Sequence, residues 1–546
     1  MHMFNMFKKK AKLPEINSSI EQTSVNNEIT SSVSSPSDSY VLDFDLKKNI
    51  EDFNKFIGIS HDVNIRKLKL PLGKKGMAAS LMFVDGLVDK PTINNSVIDP
   101  LLTELPEESN LDDLLNVISE QVIKNLKIEQ SCSFSDILDK MFSGDSILFI
   151  NGYKYALIIG NRKWLDRGVQ EANTEQIIHG PKDSFSETLL TNTMLLRRRI
   201  KSNKLQMEYM NIGTLTKTDI IISYIDGVVN PKLVEEVRNR LNRIKTDSII
   251  GTGMIEEFIE DSSSAILPQI IHTERPDKTT AHLLSGGVVI LVDGTPLVLL
   301  LPIVFWQFLT SPEDYNERVY ASFVIRSLRF VSLIIALVLP SFYIAVTSFH
   351  HEMIPFGLLQ VIVSGRRDVP FPVLIEVILM ELILELIREA GARLPRNVGQ
   401  AISIVGALVL GQAAIQAKLA SPATVTVVAI TAIANFTIPT FSAALSIRSL
   451  RFILMIASGL YGILGFIATL FVMLVHLCSL RSFGVPYLAP LAPLIPGDLK
   501  DTIIRAPIWA MNKRPQIFGA INSVRQKQGL KPGLKQDGSG DQEVRK

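Results

Sequence analysis

The stretch from about Ile325 to Pro496 constrains this chain more than any other. Four or five apolar runs follow one another there, separated by short loops that carry arginines. The clearest is Phe330 to Phe349, and others begin near Phe371, Ala401, Ala423 and Phe452. A bilayer core of about 30 Å needs roughly 20 largely apolar residues in a helix. Helices are the form expected, because lipid offers no water to the backbone N–H and C=O groups. A buried core helix could account for any one run. Several in succession predict a membrane domain.

Composition then divides the chain. Its 546 residues are 47% hydrophobic and 20% charged. That average joins a polar chain up to about residue 285 to a lipid-soluble one after it. The net charge of +2 says little about partners, being an average over unlike regions, and no nucleic-acid partner is expected. Cys132 and Cys478 lie in different regions and suggest neither a disulfide framework nor a metal site. The N-terminal residues hold their lysines after the few apolar ones and have no apolar core, so no cleaved signal peptide is expected. The expected order is a disordered arm (1–40), a soluble α/β domain of two subdomains (41–284) and an interfacial strand/helix connector (285–320). A transmembrane domain of five to six segments (321–496) and a basic cytoplasmic tail with a disordered end (497–546) follow. The fold class is therefore an α/β soluble domain followed by an α-helical polytopic membrane domain.

Within the soluble region a single signature recurs, a β-branched run ending in Asp-Gly or Asn-Gly. It occurs at Leu81–Asp89, Ile147–Ile159, Ile221–Asn230 and Val288–Leu300. The run reads as a buried strand, and glycine supplies the positive φ of a tight turn. Ile147–Ile159 reads as a hairpin with Asn151-Gly152 in its turn. Amphipathic helices follow Asp85-Gly86 and Asp226-Gly227, which suggests two similar α/β subdomains. No dinucleotide or Walker A motif, and no recognisable nucleophile–base constellation, is present. The aspartates are read as strand-end residues, and no catalytic, cofactor or metal role is assigned.

In the apolar region the hexapeptide Ile325–Phe330 (IRSLRF) recurs unchanged as Ile447–Phe452, each copy at the start of an apolar run. Arginines flanking a span favour the cytoplasm, so both copies are expected inside. Spans near 330–349, 371–390, 401–419 and 423–443 supply the even number of crossings between them. Arg388, Arg393 and Arg396 then fall inside, and Arg366 and Arg367 outside. A fifth span, about 452–478, exits again. Residues 484–495 then either return as a Pro-broken re-entrant segment, the favoured reading, or leave the tail external. The run Pro296–Leu309 is short and reads as an interfacial helix.

Two sets of polar residues stand out inside these runs. At about 100° per residue, Glu381, Glu385, Arg388 and Glu389 share one face of the second span, while Glu376 points away. Intramembrane ionisable groups are costly and face protein or water; a solvated interfacial helix is the alternative. In the fourth span Ser421, Thr424, Val428, Thr431 and Asn435 form one stripe at three- and four-residue steps. The stripe suits a pore wall with a hydrophobic constriction, or small and polar residues that glue the helix to a neighbour.

From about Gly58 to Pro507 the sequence resembles the A subunit of spore germinant receptors. The resemblance rests on Thr174-Glu175, Gly180-Pro181, Phe185, Glu187, Asn192, Arg197-Arg198-Arg199, Glu274 to Lys278 and Ser311 to Tyr315. It continues through Ala390-Gly391, Arg393-Leu394-Pro395, Val398-Gly399, Gly411 to Ala414 and Ser482 to Tyr487. It implies a multi-pass protein of the spore inner membrane, its N-terminal domain facing the cytoplasm or spore core. Such subunits work with a transporter-like B subunit and a lipoprotein C subunit to trigger germination. The resemblance further implies a homo-oligomeric, ligand-gated ion channel. A non-conducting scaffold that couples the receptor to other effectors is the alternative.

Overall fold

The computed structural model describes residues 41–532 except 59, 73–75, 106–113, 124–125, 163–174, 176, 394–408, 503 and 528. The expected arm at 1–40 and the far end of the tail lie outside the described residues. So do the first half of the run from Ala401 and the positions Thr174, Leu394, Pro395, Arg396, Val398 and Gly399.

Two five-stranded sheets with antiparallel pairing build the first half of the chain. β1 (Val63–Leu70), β2 (Met77–Val84), β3 (Lys127–Ser131), β4 (Ser146–Ile150) and β5 (Ala156–Gly160) lie in the order β1-β2-β4-β5-β3. β6 (Leu205–Ile212), β7 (Thr218–Ile225), β8 (Ile271–Thr273), β9 (Val288–Val292) and β10 (Val298–Leu301) repeat that plan as β6-β7-β9-β10-β8. The recurring turns fall at matching places. Gly86 and Gly227 follow β2 and β7, and Gly152 and Gly294 turn the β4-β5 and β9-β10 hairpins. Their φ values of 84°, 73°, 89° and 80° lie in the left-handed region that glycine adopts without a Cβ penalty.

Side chains alternate across each strand, so the sheets are covered on both faces. Leu148 and Ile150 join one core and Ile147 and Phe149 another. Each such buried side chain contributes roughly 1.5–3 kcal/mol. Around the sheets run α1 (Leu46–Ile57), α2 (Phe134–Phe142), α3 (Leu189–Arg199), α4 (Pro231–Asn242), α5 (Thr252–Ile259) and α6 (Pro276–Leu284). Buried Arg197 on α3 bonds Asp62 at 2.6 and 3.0 Å, and buried Arg275 bonds Asp277 at 2.6 and 3.0 Å. Two arginines of the resemblance motifs thus hold this domain together.

The boundary expected at Leu284 is corrected. β9 and β10 fall beyond it, and they supply two inner strands of the second sheet. The run Pro296–Leu309 is β10 and then a 3-10 turn at Phe305–Leu309 instead of an interfacial helix. Neighbouring strands on both sides satisfy the β10 backbone.

The second half is helical: α7 (Val319–Phe349), α8 (Phe356–Arg366), α9 (Val373–Arg393), α10 (Pro422–Phe436) and α11 (Phe441–Ser479). Among the described residues α7 and α11 are long and apolar enough to cross a membrane by length and composition. α9 fills the expected span near 371–390 but carries its carboxylates, and α10 has 15 residues. The two arginine hexapeptides do not begin their helices: α7 starts at Val319 and α11 at Phe441. Carboxylate partners, described below, let the helices run through these arginines.

α11 is two legs, 441–461 and 463–479, folded back at Gly462 (φ 61°, ψ −142°). A Cβ on Gly465 would lie 2.2 Å from the Ala457 carbonyl oxygen. Residues eight apart in a straight helix are separated by about 12 Å. Thr440 Oγ1 donates to Phe308 O, and Phe305 N–H to Tyr487 O, so both ends of α11 return to one place. The turn between the legs packs on Phe349, at the far end of α7.

The fold-back also corrects the re-entrant reading of residues 484–495. They pack on the two-sheet domain: Tyr487 OH donates to Pro268 O at 2.6 Å and Trp306 Nε1 to Leu488 O at 3.2 Å. The chain comes back toward that domain along leg 463–479 of α11. Further on, Arg514 donates to Leu284 O and Ile521 N–H to Val228 O. The described portion of the tail is therefore a strap across the second subdomain. His282 of α6 is buried under it, edge-on to Phe518, with Nε2 3.0 Å from Leu301 O. Burial pushes its imidazole down to about 4.

Candidate functional site

The two copies of IRSLRF organise two ionic clusters. Arginines three apart share a helix face. In the first copy Arg326 and Arg329 reach Asp314, a buried carboxylate in the short helix before α7, at 3.3 and 2.8 Å. Arg326 also meets Asp501 of the strap at 2.9 Å. Arg505 of the strap donates to Glu317 O and Ser322 Oγ. The connector, the strap and the start of α7 meet at this hub.

The second copy faces α9. Glu381 and Glu385, four apart, meet Arg451 and Arg448, three apart, on an antiparallel helix pair. Arg451 lies 2.9 Å from Glu381, and Arg448 lies 2.8 Å from Glu385. Arg388 adds a 2.7 Å pair to Glu385. The side chains of Glu381 and Arg451 are 0% exposed. Three arginines against two glutamates leave the cluster with one formal positive charge. Arg451 approaches Glu381 off the N–H direction: neither Glu381 oxygen and none of the Arg451 nitrogens has an aligned hydrogen-bond partner among the described residues. The attraction is therefore Coulombic, in a setting where each ion is costly to desolvate.

Of the face expected to carry Glu381, Glu385, Arg388 and Glu389, the structure brings together the first three. Glu389 pairs with Arg393 at the surface. Glu376 does point elsewhere, and it is buried: it accepts the Ser421 N–H at 2.5 Å and lies 3.3 Å from Arg366. The sequence reading missed Arg448 and Arg451 as partners and Glu376 as a cap on α10. The signal was present in the i,i+3 arginines within an apolar run.

The stripe of α10 is buried along its whole length. Ser421 caps the helix, its side chain accepting from the Thr424 N–H, and Thr424 Oγ1 meets the Tyr343 hydroxyl of α7 at 3.2 Å. Val428 packs in one core with Tyr343, Val377, Met380 and Met455. Thr431 donates to Val427 O of its own helix, and Asn435 Oδ1 has no partner among the described residues. Within one chain this face joins α10 to its neighbours. The ionic cluster thus lies between α9 and α11, while the stripe packs on α7, α9 and α11.

Sequence comparison matches residues 51–517 to the family described as Bacillus/Clostridium GerA spore germination protein. Spore germination protein KA of Bacillus subtilis (strain 168) is 43% identical over 89% of this chain and 89% of its own. The uncharacterized membrane protein YfkQ of the same organism is 38% identical, over 88% and 92%. Spore germination protein GerLA of Bacillus cereus is 36% identical, over 88% and 96%. Among solved structures, the N-terminal domain of the A subunit of the Bacillus megaterium spore germinant receptor GerK3 aligns with a TM-score of 0.39 and 34% identity. That alignment covers 49% of this chain and 98% of that one. The chain belongs to the GerA family of spore germination proteins.

Proposed function

We propose that this chain is the membrane-embedded A-type subunit of a nutrient germinant receptor in the spore inner membrane. In this reading it assembles with further copies of itself into a ligand-gated ion channel. It acts beside a transporter-like B subunit and a lipoprotein C subunit, with membrane lipid around the bundle. The carrying observation is the family match across residues 51–517, which spans both the soluble domain and the helical bundle. The relatives' names supply the germination role, and the resemblance of the motifs supplies the receptor partners.

The fold-back of α11 supports a six-pass arrangement. α7 leads away from the soluble domain and α9 returns. A segment through 409–416 leads away again, and α10 returns. The two legs of α11 then lead out and back. Soluble domain and strap share one face, which the reading places on the cytoplasmic or core side. The reading assigns no catalytic step.

The burial of Ser421, Thr424, Val428, Thr431 and Asn435 within one chain favours the second reading, a scaffold that couples subunits without conducting. In either case spores lacking this chain lose their response to the nutrient that its receptor senses, and complementation restores it. Spores that lack the chain and answer every nutrient tested at the parental rate would refute the receptor role.

A further inference from the structure

A cavity of about 410 Å3 lies where the second subdomain, the connector and the strap meet. Its size falls in the range of small-molecule sites, roughly 300–1,000 Å3. From this cavity we infer a binding site for a small molecule with an apolar body that is uncharged or carries one positive charge.

The wall determines that chemistry. Most of it is apolar, with Leu300 and Val304 from the domain side and Ile508 and Met511 from the strap. Neutral His282, edge-on to Phe518 at 5.5 Å, extends the apolar surface. The charged groups on the wall are Asp277, Asp498, Asp501, Lys278 and Arg525, so carboxylates outnumber cations. The carboxylates are also already satisfied. Asp277 holds Arg275, Asp501 accepts from Arg326 and Tyr315, and Asp498 accepts the N–H groups of Gln516 and Ile517. Lys278 is paired with Glu175 at 2.7 Å. An anion entering the cavity meets three carboxylates against two cations, Arg525 and the Lys278 that Glu175 already holds. An apolar body instead gains from burial, and a single ammonium is tolerated beside the carboxylate surplus.

The position links occupancy to the bundle. Tyr315 and Asp501 line the cavity and also belong to the hub that grips Arg326 at the base of α7. A ligand there bears on the strap and on α7 together. The site stands on its own geometry and does not depend on whether the bundle conducts.

Tryptamine, uncharged indole and indole-3-acetate test the assignment on the purified full-length chain in detergent micelles, by equilibrium dialysis. Tryptamine and indole bind saturably at millimolar concentration or below. Indole-3-acetate binds about tenfold or more weakly than tryptamine, as like-charge juxtaposition requires. Ala281→Trp on the domain wall and Ile508→Trp on the strap fill the cavity from opposite sides. Each abolishes tryptamine binding in protein that keeps the parental elution volume, so one variant suffices should the other misfold. No saturable binding of either probe, preferential binding of the anion, or binding intact in a folded filling variant would overturn the site.

Discussion

Arg451 and Glu381 show how burial changes the meaning of a charge. Both lie in apolar runs, and each is tolerated because the other is 2.9 Å away. Removing one partner leaves an uncompensated buried ion, at a cost of about 3–5 kcal/mol. Arg451→Leu is therefore expected to lower the thermal midpoint in detergent strongly. The double variant Arg451→Leu with Glu381→Leu recovers most of the loss, since apolar replacement of a buried pair is often neutral. Equal losses that simply add would contradict the pairing. The face carrying Glu381, Glu385 and Arg388 was legible because it needs only the helix period. Its partners were not, since the first arginine copy finds aspartates and the identical second copy finds glutamates. What a hexapeptide binds is decided by tertiary placement.

His282 makes a second residue-scale case, outside the bundle. Its imidazole falls from the ordinary 6.5 to about 4 because burial disfavours the cation. The sign follows from linkage: between these values the unfolded chain binds the proton and the folded one does not. Its contribution is fully present above the unfolded value and lost as pH falls toward 4, about 3 kcal/mol in all. Thermal melts of the full chain should steepen in pH dependence over this window, and His282→Asn should flatten it. Parallel pH profiles for the two proteins would remove His282 from the account.

Among elements, α11 is the one the sequence misrepresents most. Its apolar run from Phe452 reads as one span, although Gly462 and Gly465 lie within it. They are where the chain turns: Gly462 has φ 61°, and Gly465 has no room for a Cβ. A re-entrant segment at 484–495 is required only if the return leg is counted within a single span. Single cysteines in a background lacking Cys132 and Cys478 test the turn. Tyr461→Cys is labelled by an impermeant reagent from the face opposite the soluble domain, and Ser523→Cys is not. Labelling of Ser523→Cys from that opposite face would mean that α11 does not return. The α10 stripe, by contrast, was legible as a stripe. Whether it glued or lined a path was not, because periodicity identifies a face and not its neighbour.

At the scale of the whole molecule, the division into an α/β domain and an apolar helical one was plain from hydropathy. The recurring Gly turns foreshadowed two subdomains, although only the sheet order makes them the same plan. The boundary was set too early although Val288–Leu300 carries the same Asp-Gly strand signature, because the run is apolar enough to be grouped with those that follow. Residues 41–302 should express as a soluble fragment with an α/β circular dichroism spectrum. The fragment 41–284, lacking two inner strands, should aggregate or remain unfolded. A well-folded 41–284 would show that those strands are dispensable to the domain.

The strap joins these scales, since it crosses the second subdomain and also grips the arginines of α7. Asp314 and Asp501 on Arg326 thus make a direct contact between the connector, the strap and the bundle. On the proposed channel reading the consequence to be measured is ion movement. Ion flux from liposomes reconstituted with the purified full-length chain, alone and with its receptor partners, addresses this most directly. The account predicts a flux above that of protein-free liposomes, and a change in it when Arg451 and Glu381 are replaced together. Protein that inserts and oligomerises yet passes no ions under either condition would contradict the channel and leave the scaffold.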